Sequence, residues 1–290
     1  MNNKFLLSLI ALLTVINPAF SETTSTENAD SPYGLRANLK RAAFELSSTE
    51  VSNAEEYKDS PNSKLSGDSE TMIKGVLDFV LEYEQANYQW NNSLFMEYGE
   101  TTLKPLDGPD VVNENADKIL FTSDYSRKTW KTSEGDLGPF VNIGYQTEFS
   151  PNDDAPRTKT FRGKTGLKLF NGKYIKEFYV AAVGELDLTY DREDTKSAYE
   201  IGFKAEYPLK EEVKFEIDTY FRDYLTYSSY EATDFTYELG LTSRLMVGLN
   251  KSLALGPYIQ YLQAKDRKSE NYGSSTIIGI TVAYGGLWKF

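Results

Sequence analysis

The chain has 290 residues, no histidine, no cysteine, and 43 acidic against 31 basic residues, a formal net charge of −12. Without histidine there is no Ser-His-Asp triad and no imidazole-ligated zinc, and without cysteine there is no disulfide framework, thiolate nucleophile or iron–sulfur cluster. The acidic balance also argues against nucleic acid as a partner, because phosphate contacts need a basic surface.

Residues 1–21 have the organisation of a cleaved secretory signal peptide: Lys4, an apolar run from Phe5 to Val15, then Ala19-Phe20-Ser21, with the cut expected before Glu22. The apolar run is too short for a spanning helix, which needs roughly 20 residues. Residues 22–33 are expected to form a periplasmic N-terminal segment, followed by one unit over 34–290.

That unit alternates with period two. From Phe235 to Leu249 the odd positions are apolar apart from Ser243, while the even ones include Glu238, Arg244 and Asn250. Soluble strands average about 5–6 residues, so alternation this long suits a tilted membrane strand. Twelve such segments are predicted, at 34–48, 71–86, 88–103, 117–131, 136–149, 158–171, 174–190, 198–209, 212–225, 234–250, 252–264 and 275–290. In the first, Lys40-Arg41 breaks the pattern. The connections alternate long and short, with long ones at 49–70 and 104–116 and short ones such as Asn171-Gly172-Lys173, where Asn-Gly is a hairpin signal. The expected fold is therefore all-β, an antiparallel up-and-down transmembrane barrel of about 12 strands. It would be a monomer with its long loops extracellular and both termini periplasmic.

The last segment ends in an aromatic, Phe290, with Trp288 two residues before it. This resembles the C-terminal signal by which outer-membrane barrels engage the barrel assembly machinery. Together with the signal peptide and the twelve segments, the chain resembles a Gram-negative outer-membrane β-barrel over residues 34–290. Trp90-Asn91-Asn92-Ser93-Leu94, Glu97-Tyr98-Gly99, Asp117-Lys118-Ile119-Leu120 and Ser123-Asp124-Tyr125 resemble barrel families of unknown function, which bring no catalytic or ligand residues to transfer. The resemblance implies contact with the bilayer and outer-membrane lipids. Known twelve-stranded barrels include oligosaccharide and nucleoside channels, autotransporter translocators and a lipase. The hydrolytic and lipid-A-modifying barrels use a histidine that this chain lacks.

Assigning strands assigns a lumen. The inward candidates are Arg162, Lys164, Lys168, Glu185, Asp187, Glu200, Lys204, Glu206, Lys214, Glu216, Asp218, Arg222, Glu238 and Arg244, together with Lys74, Asp78, Glu82, Glu84, Glu97, Glu148 and Glu177. In the hairpin 198–225, pairing Glu206 with Lys214 also pairs Lys204 with Glu216, and Lys168 is expected to face Glu177. Such a face reads either as a charge-paired structural wall or as a wet, acidic, cation-leaning pore for small solutes. Two alternatives stay open: a surface-binding or adhesion barrel acting through its loops, and a histidine-free hydrolase using paired carboxylates such as Glu185 with Asp187 or Glu216 with Asp218. The expectation is no enzyme, no cofactor and no metal. The acidic loop residues Asp107, Asp110, Asp153 and Asp154 look as much like turn residues as calcium ligands. Trp90, Tyr190, Tyr207, Trp288 and Phe290 are expected at the membrane interfaces, and Tyr179, Tyr220 and Tyr258 are the inward aromatics.

Overall fold

The computed structural model describes residues 33–60, 62–66, 71–103, 111–150, 156–190, 193–229 and 231–290. The signal-peptide expectation and the acidic loop residues 107, 110, 153 and 154 lie outside the described residues. Twelve long strands form the wall: β1 (Gly34–Ser52), β2 (Thr71–Glu84), β3 (Tyr88–Leu103), β4 (Val111–Arg127), β6 (Gly135–Thr147), β7 (Lys159–Phe170), β8 (Ile175–Asp187), β9 (Asp194–Lys210), β10 (Val213–Tyr227), β11 (Phe235–Gly248), β12 (Leu253–Asp266) and β13 (Gly273–Lys289). The short β5 (Trp130–Thr132) continues β4 after a two-residue break and pairs only with the start of β6.

Every neighbour pairing is antiparallel and sequential. The ring closes where β1 meets β13, from Arg36 opposite Lys289 to Ser52 opposite Ser274. The remaining neighbours, β4 and β6, pair from Ile119–Thr147 to Ser126–Phe140, so the wall is continuous. Closure leaves no unpaired strand edge, which is what allows a sheet to stand in hydrocarbon.

The irregularity at Lys40-Arg41 is a β-bulge. Both pairings of β1 shift register between Leu39 and Arg41 or Ala42. The extra residue restores the inward–outward alternation that a regular strand would have lost. At the predicted hairpin, Asn171 adopts a left-handed φ of 59°, the conformation that Asn tolerates well in a tight turn.

Burial is inverted relative to a soluble protein. Ile143 (61% exposed), Ile73 (60%) and Ile278 (58%) face outward, whereas the side chains of Glu45 and Lys74 are fully buried. An apolar exterior of this extent is stable only against lipid, where each outward Leu or Ile gains about 1.5–3 kcal/mol over exposure to water. The fold is that of an outer-membrane barrel with the charged face inside.

The described part of segment 53–66 does not project from the barrel. After β1 it forms a 3₁₀ turn, Ala54–Tyr57, and a single-turn helix α1, Ser63–Ser66. Tyr57 and Leu65 are buried together against Leu262 and Ala264 of β12. The expectation of an external loop over 49–70 is thus corrected on two points. β1 runs on to Ser52, and the part of the following connection that the structure describes folds back over the barrel mouth because its two apolar side chains find a partner there.

Candidate functional site

The strand alternation turns one side chain in two toward a lumen cavity of about 540 Å³. Its lining runs from Lys40, Asp78 and Lys204 toward the short-turn end to Asn62, Glu148 and Asp234 at the long-loop end. Twelve carboxylates and ten cationic side chains line it, so the acidic surplus of the whole chain is nearly neutralised here. Of the sequence-derived candidates, Asp78, Glu97, Glu148, Arg162, Lys164, Glu177, Glu185, Asp187, Glu200, Lys204, Asp218, Arg222, Glu238 and Arg244 lie on this surface, and Lys74, Glu82, Glu84, Lys168, Glu206, Lys214 and Glu216 do not.

On the β7–β11 side these residues form one network, because register sets opposite charges face to face. Arg222 is opposite Glu200 on one neighbour and Glu238 on the other, and Arg162 is opposite Glu185. Arg222 Nε and Lys164 Nζ each donate to Glu200 at 2.6 Å, and the Tyr179 hydroxyl donates to the same carboxylate. Arg162 Nε donates to Glu185 at 2.7 Å. Nearer the long loops, Lys196 sits among Asp187 and Asp234, both at 2.7 Å, and Asp194 at 4.0 Å. Burying these charges is costly unless each is paired, and Glu200, Arg222, Glu185 and Lys196 all are. The carboxylates Glu185 and Asp187, candidates for acid–base chemistry, are each engaged by a cation.

The β1–β3 side carries a second chain of charges. Arg41 Nη1 lies 3.8 Å from Glu45, and Lys74 Nζ lies 3.1 Å from Glu45 and 3.3 Å from Glu97. Lys74 also donates to Gln260 of β12 at 2.9 Å. Sequence reasoning missed Arg41 and Glu45 because a strict period of two loses the inward face at the Lys40 bulge. Counting one extra residue there would have found them. Arg244 stands within electrostatic reach of Arg41, Glu45, Glu216 and Asp218.

Near the short turns the expected pairings are corrected. Lys214 is opposite Pro208, Glu216 opposite Glu206, and Asp218 opposite Lys204, two residues away from the register that charge complementarity suggested. Lys204 reaches Asp218 at 3.5 Å, with both side chains about half exposed, while Lys214 bonds Glu216 on its own strand and offsets the facing carboxylates. Lys168 is opposite Tyr179, reaches Glu177 only diagonally at 3.8 Å, and bonds Asp124. A bulge between Val213 and Lys214 shifts the pairing. With it, Arg222 meets Glu200 and Tyr220 meets Gly202.

The three tyrosines expected inward lie over a glycine directly opposite on the next strand: Tyr179 on Gly202, Tyr220 on Gly240 and Tyr258 on Gly279. A Cβ at Gly202 would stand 2.3 Å from the Tyr179 ring, and one at Gly240 2.4 Å from the Tyr220 ring. The rings therefore lie along the wall rather than across the lumen, a cross-strand use of glycine known to stabilise sheets.

The aromatics expected at the interfaces are placed as follows. Trp90 (46% exposed) and Tyr207 (50%) point outward, Tyr207 with its ring 5.0 Å from that of Tyr174. Trp288 is half-buried beside Gly286, and Phe290 is exposed, its backbone N–H bonded to Leu35 at 3.0 Å. Tyr190 belongs to the β8–β9 connection, with its hydroxyl 2.8 Å from that of Thr233.

Residues 62–152, less than a third of the chain, match the family described as "Protein of unknown function (DUF3078)". No curated protein matches the chain in sequence. Among solved structures, it is similar to an outer-membrane channel from Pseudomonas putida F1, at 10% identity over 91% of this chain and 100% of that one, with a TM-score of 0.46. It is similar to the outer-membrane channel DcaP of Acinetobacter baumannii, at 7% identity over 87% and 96%, with a TM-score of 0.42. It is also similar to the translocator domain of the autotransporter NalP from Neisseria meningitidis, at 11% identity over 87% and 89%, with a TM-score of 0.37.

Proposed function

We propose that this barrel is a narrow, water-filled pore for small solutes in the Gram-negative outer membrane, slightly favouring cations. The observation that carries this reading is the charged lumen cavity of about 540 Å³, with lining residues toward both ends of the barrel. A wall that served only as structure would gain more by closing over apolar side chains than by keeping twelve carboxylates and ten cations around a void. The cation preference follows from the surplus of two carboxylates and is correspondingly weak. In this reading the protein is a monomer and not an enzyme, works without a cofactor, is exported by its N-terminal leader, and is inserted by the assembly machinery through Phe290.

Purified protein in planar bilayers tests the reading. Stepwise conductance is expected, with a cation-to-anion permeability ratio modestly above one, and a barrel that inserts but never conducts would leave only the charge-paired structural wall. Adhesion through loop 49–70 has less support, because the described part of that loop is folded inward around Tyr57 and Leu65.

A further inference from the structure

The folded connection after β1 is fixed to two different sectors of the barrel. On one side, the Tyr57 hydroxyl shares its one proton between the carbonyls of Ala264 (3.1 Å) and Asn271 (3.0 Å) and accepts from the Asp266 N–H (3.3 Å). Its ring lies on Gly273, where a Cβ would come within 2.9 Å of it. Around it, Glu56 accepts from the backbone and side chain of Asn271 at 3.2 and 2.9 Å, and Lys268 donates to Asp59 at 3.0 Å. Those hydrogen bonds from Asn271 hold the Glu56 carboxyl below its usual pKa. On the other side, Lys64 Nζ lies 2.6 Å from Glu97 of β3, and α1 packs against β1, β4 and β13. Leu65 between them is fully buried. The stretch therefore runs from the β12–β13 end across to β3, on the lumen side of the wall, and Asn62 and Lys64 are part of the cavity lining.

It also changes the charge of the passage. Glu97 is already engaged by Lys74 at 3.3 Å, so Lys64 arrives as a second cation on one carboxylate. Next to it in register stands Lys118 of β4, opposite Glu97. Lys118 lines the cavity with Lys64 and Arg162 as like-charged neighbours and Glu97 and Glu238 as oppositely charged ones. Lys64, Lys74 (shared with Glu45) and Lys118 therefore gather on Glu97, a cationic patch confined to the β3–β4 part of a channel whose total lining is slightly negative.

We propose that residues 53–60 and 62–66 are the selectivity element of the pore: they narrow the lumen and set Lys64 beside Lys118 on the path, so that this part of the passage favours anionic groups such as a solute carboxylate. The proposal rests on the pore reading and refines it. A solute would meet a cationic restriction beside a network of paired charges of both signs, an arrangement suited to small molecules that carry both charges.

Two variants separate width from charge. Excising Ser63–Ser66 is expected to raise single-channel conductance in KCl about twofold or more, since the restriction is removed. Lys118→Gln, which removes a cation of the wall and leaves the sequence of the folded stretch intact, is expected to leave conductance nearly unchanged while raising the cation-to-anion permeability ratio about two- to threefold. Leu65→Asp is the second way to displace the stretch should the excision fail to give a barrel that resists SDS without boiling. A parent that is silent while the excised form conducts would make the stretch a complete plug. That would support its place in the lumen while overturning an open resting pore. Unchanged conductance on excision or on Leu65→Asp would overturn the restriction alone, and an unchanged reversal potential in Lys118→Gln would overturn the charge filter alone. Silence in parent and variants alike would overturn this proposal together with the pore reading.

Discussion

The hairpin of β9 and β10 contains two ion pairs that sequence arithmetic treats as equals and the structure does not. Arg222 and Glu200 have side chains 5% and 1% exposed, whereas Lys204 and Asp218, four residues nearer the turn on both strands, are 49% and 47% exposed. Both pairs sit face to face across the same two strands, so the geometry of pairing is alike. The difference lies in what surrounds them. Glu200 is closed in by Lys164, Tyr179 and Arg222, while Lys204 and Asp218 look into open lumen. A buried charge that loses its partner is left in a medium that cannot solvate it, whereas an exposed one is taken over by water. The network fixes the register of the hairpin, and the outlying pair is carried along by it.

This contrast can be broken from the buried side first. Arg222→Leu removes two donors to Glu200 and the 3.7 Å neighbour of Glu238. Stability should fall by about 3–5 kcal/mol, toward the lower figure because Lys164 stays on Glu200. Urea titration of the protein refolded in lipid vesicles measures this. The double variant Arg222→Leu with Glu200→Leu should recover part of the loss, since Glu200 no longer stands unpaired, while Lys164 and Glu238 each lose an ion partner. A double variant no better than the single would mean that packing, not charge, holds the site.

The next effect tests the same wall through shape. Gly202→Ala places a Cβ at 2.3 Å from the Tyr179 ring, which must swing off the wall and give up its bond to Glu200. A loss of about 1–3 kcal/mol is expected, as for overpacking in a tight core. Tyr179→Ser in the Gly202→Ala background should remove most of the steric part of that cost. The same titration reads both variants, and a Gly202→Ala protein as stable as the parent would show that the ring has room elsewhere.

Much of the fold was legible because a membrane barrel writes its two faces into alternate positions. Phe235 to Leu249 gave β11 almost to its ends, and the alternation of loop lengths gave the up-and-down order. Three things were not legible, each for a physical reason. The bulge at Lys40 consumes one residue without changing composition, so Arg41 and Glu45 fell off the inward face. Register in the β9–β10 hairpin was chosen by matching charges near the turn, but those are the exposed charges, with the least energy to decide it. The deeper pairs, Arg222 with Glu200 and Tyr220 with Gly202, and the bulge at Val213 decide it instead. The inward fold of the segment after β1 depends on Tyr57 and Leu65, two apolar residues in a polar stretch, whose partners on β12 lie some two hundred residues away in sequence.

The smallest effect is expected from the exposed member of the comparison, and it is the most discriminating for register. Lys204→Glu puts a carboxylate opposite Asp218 and two residues from Glu206. Like charges facing each other across strands are unfavourable by a few tenths of a kcal/mol to about 1 kcal/mol, and water in the lumen keeps the cost at the lower end. The residue that should rescue it identifies the partner. Asp218→Lys in the Lys204→Glu background restores an opposite-charge pair in the observed register, whereas Glu216→Lys would do so only in the register that charge matching near the turn suggested. Recovery of the urea midpoint by Asp218→Lys and not by Glu216→Lys is expected, with the difference shrinking as salt is raised because the pair is screened. The opposite pattern would mean that β9 and β10 pair two residues out of step with the structure, and Arg222 could then no longer stand opposite Glu200.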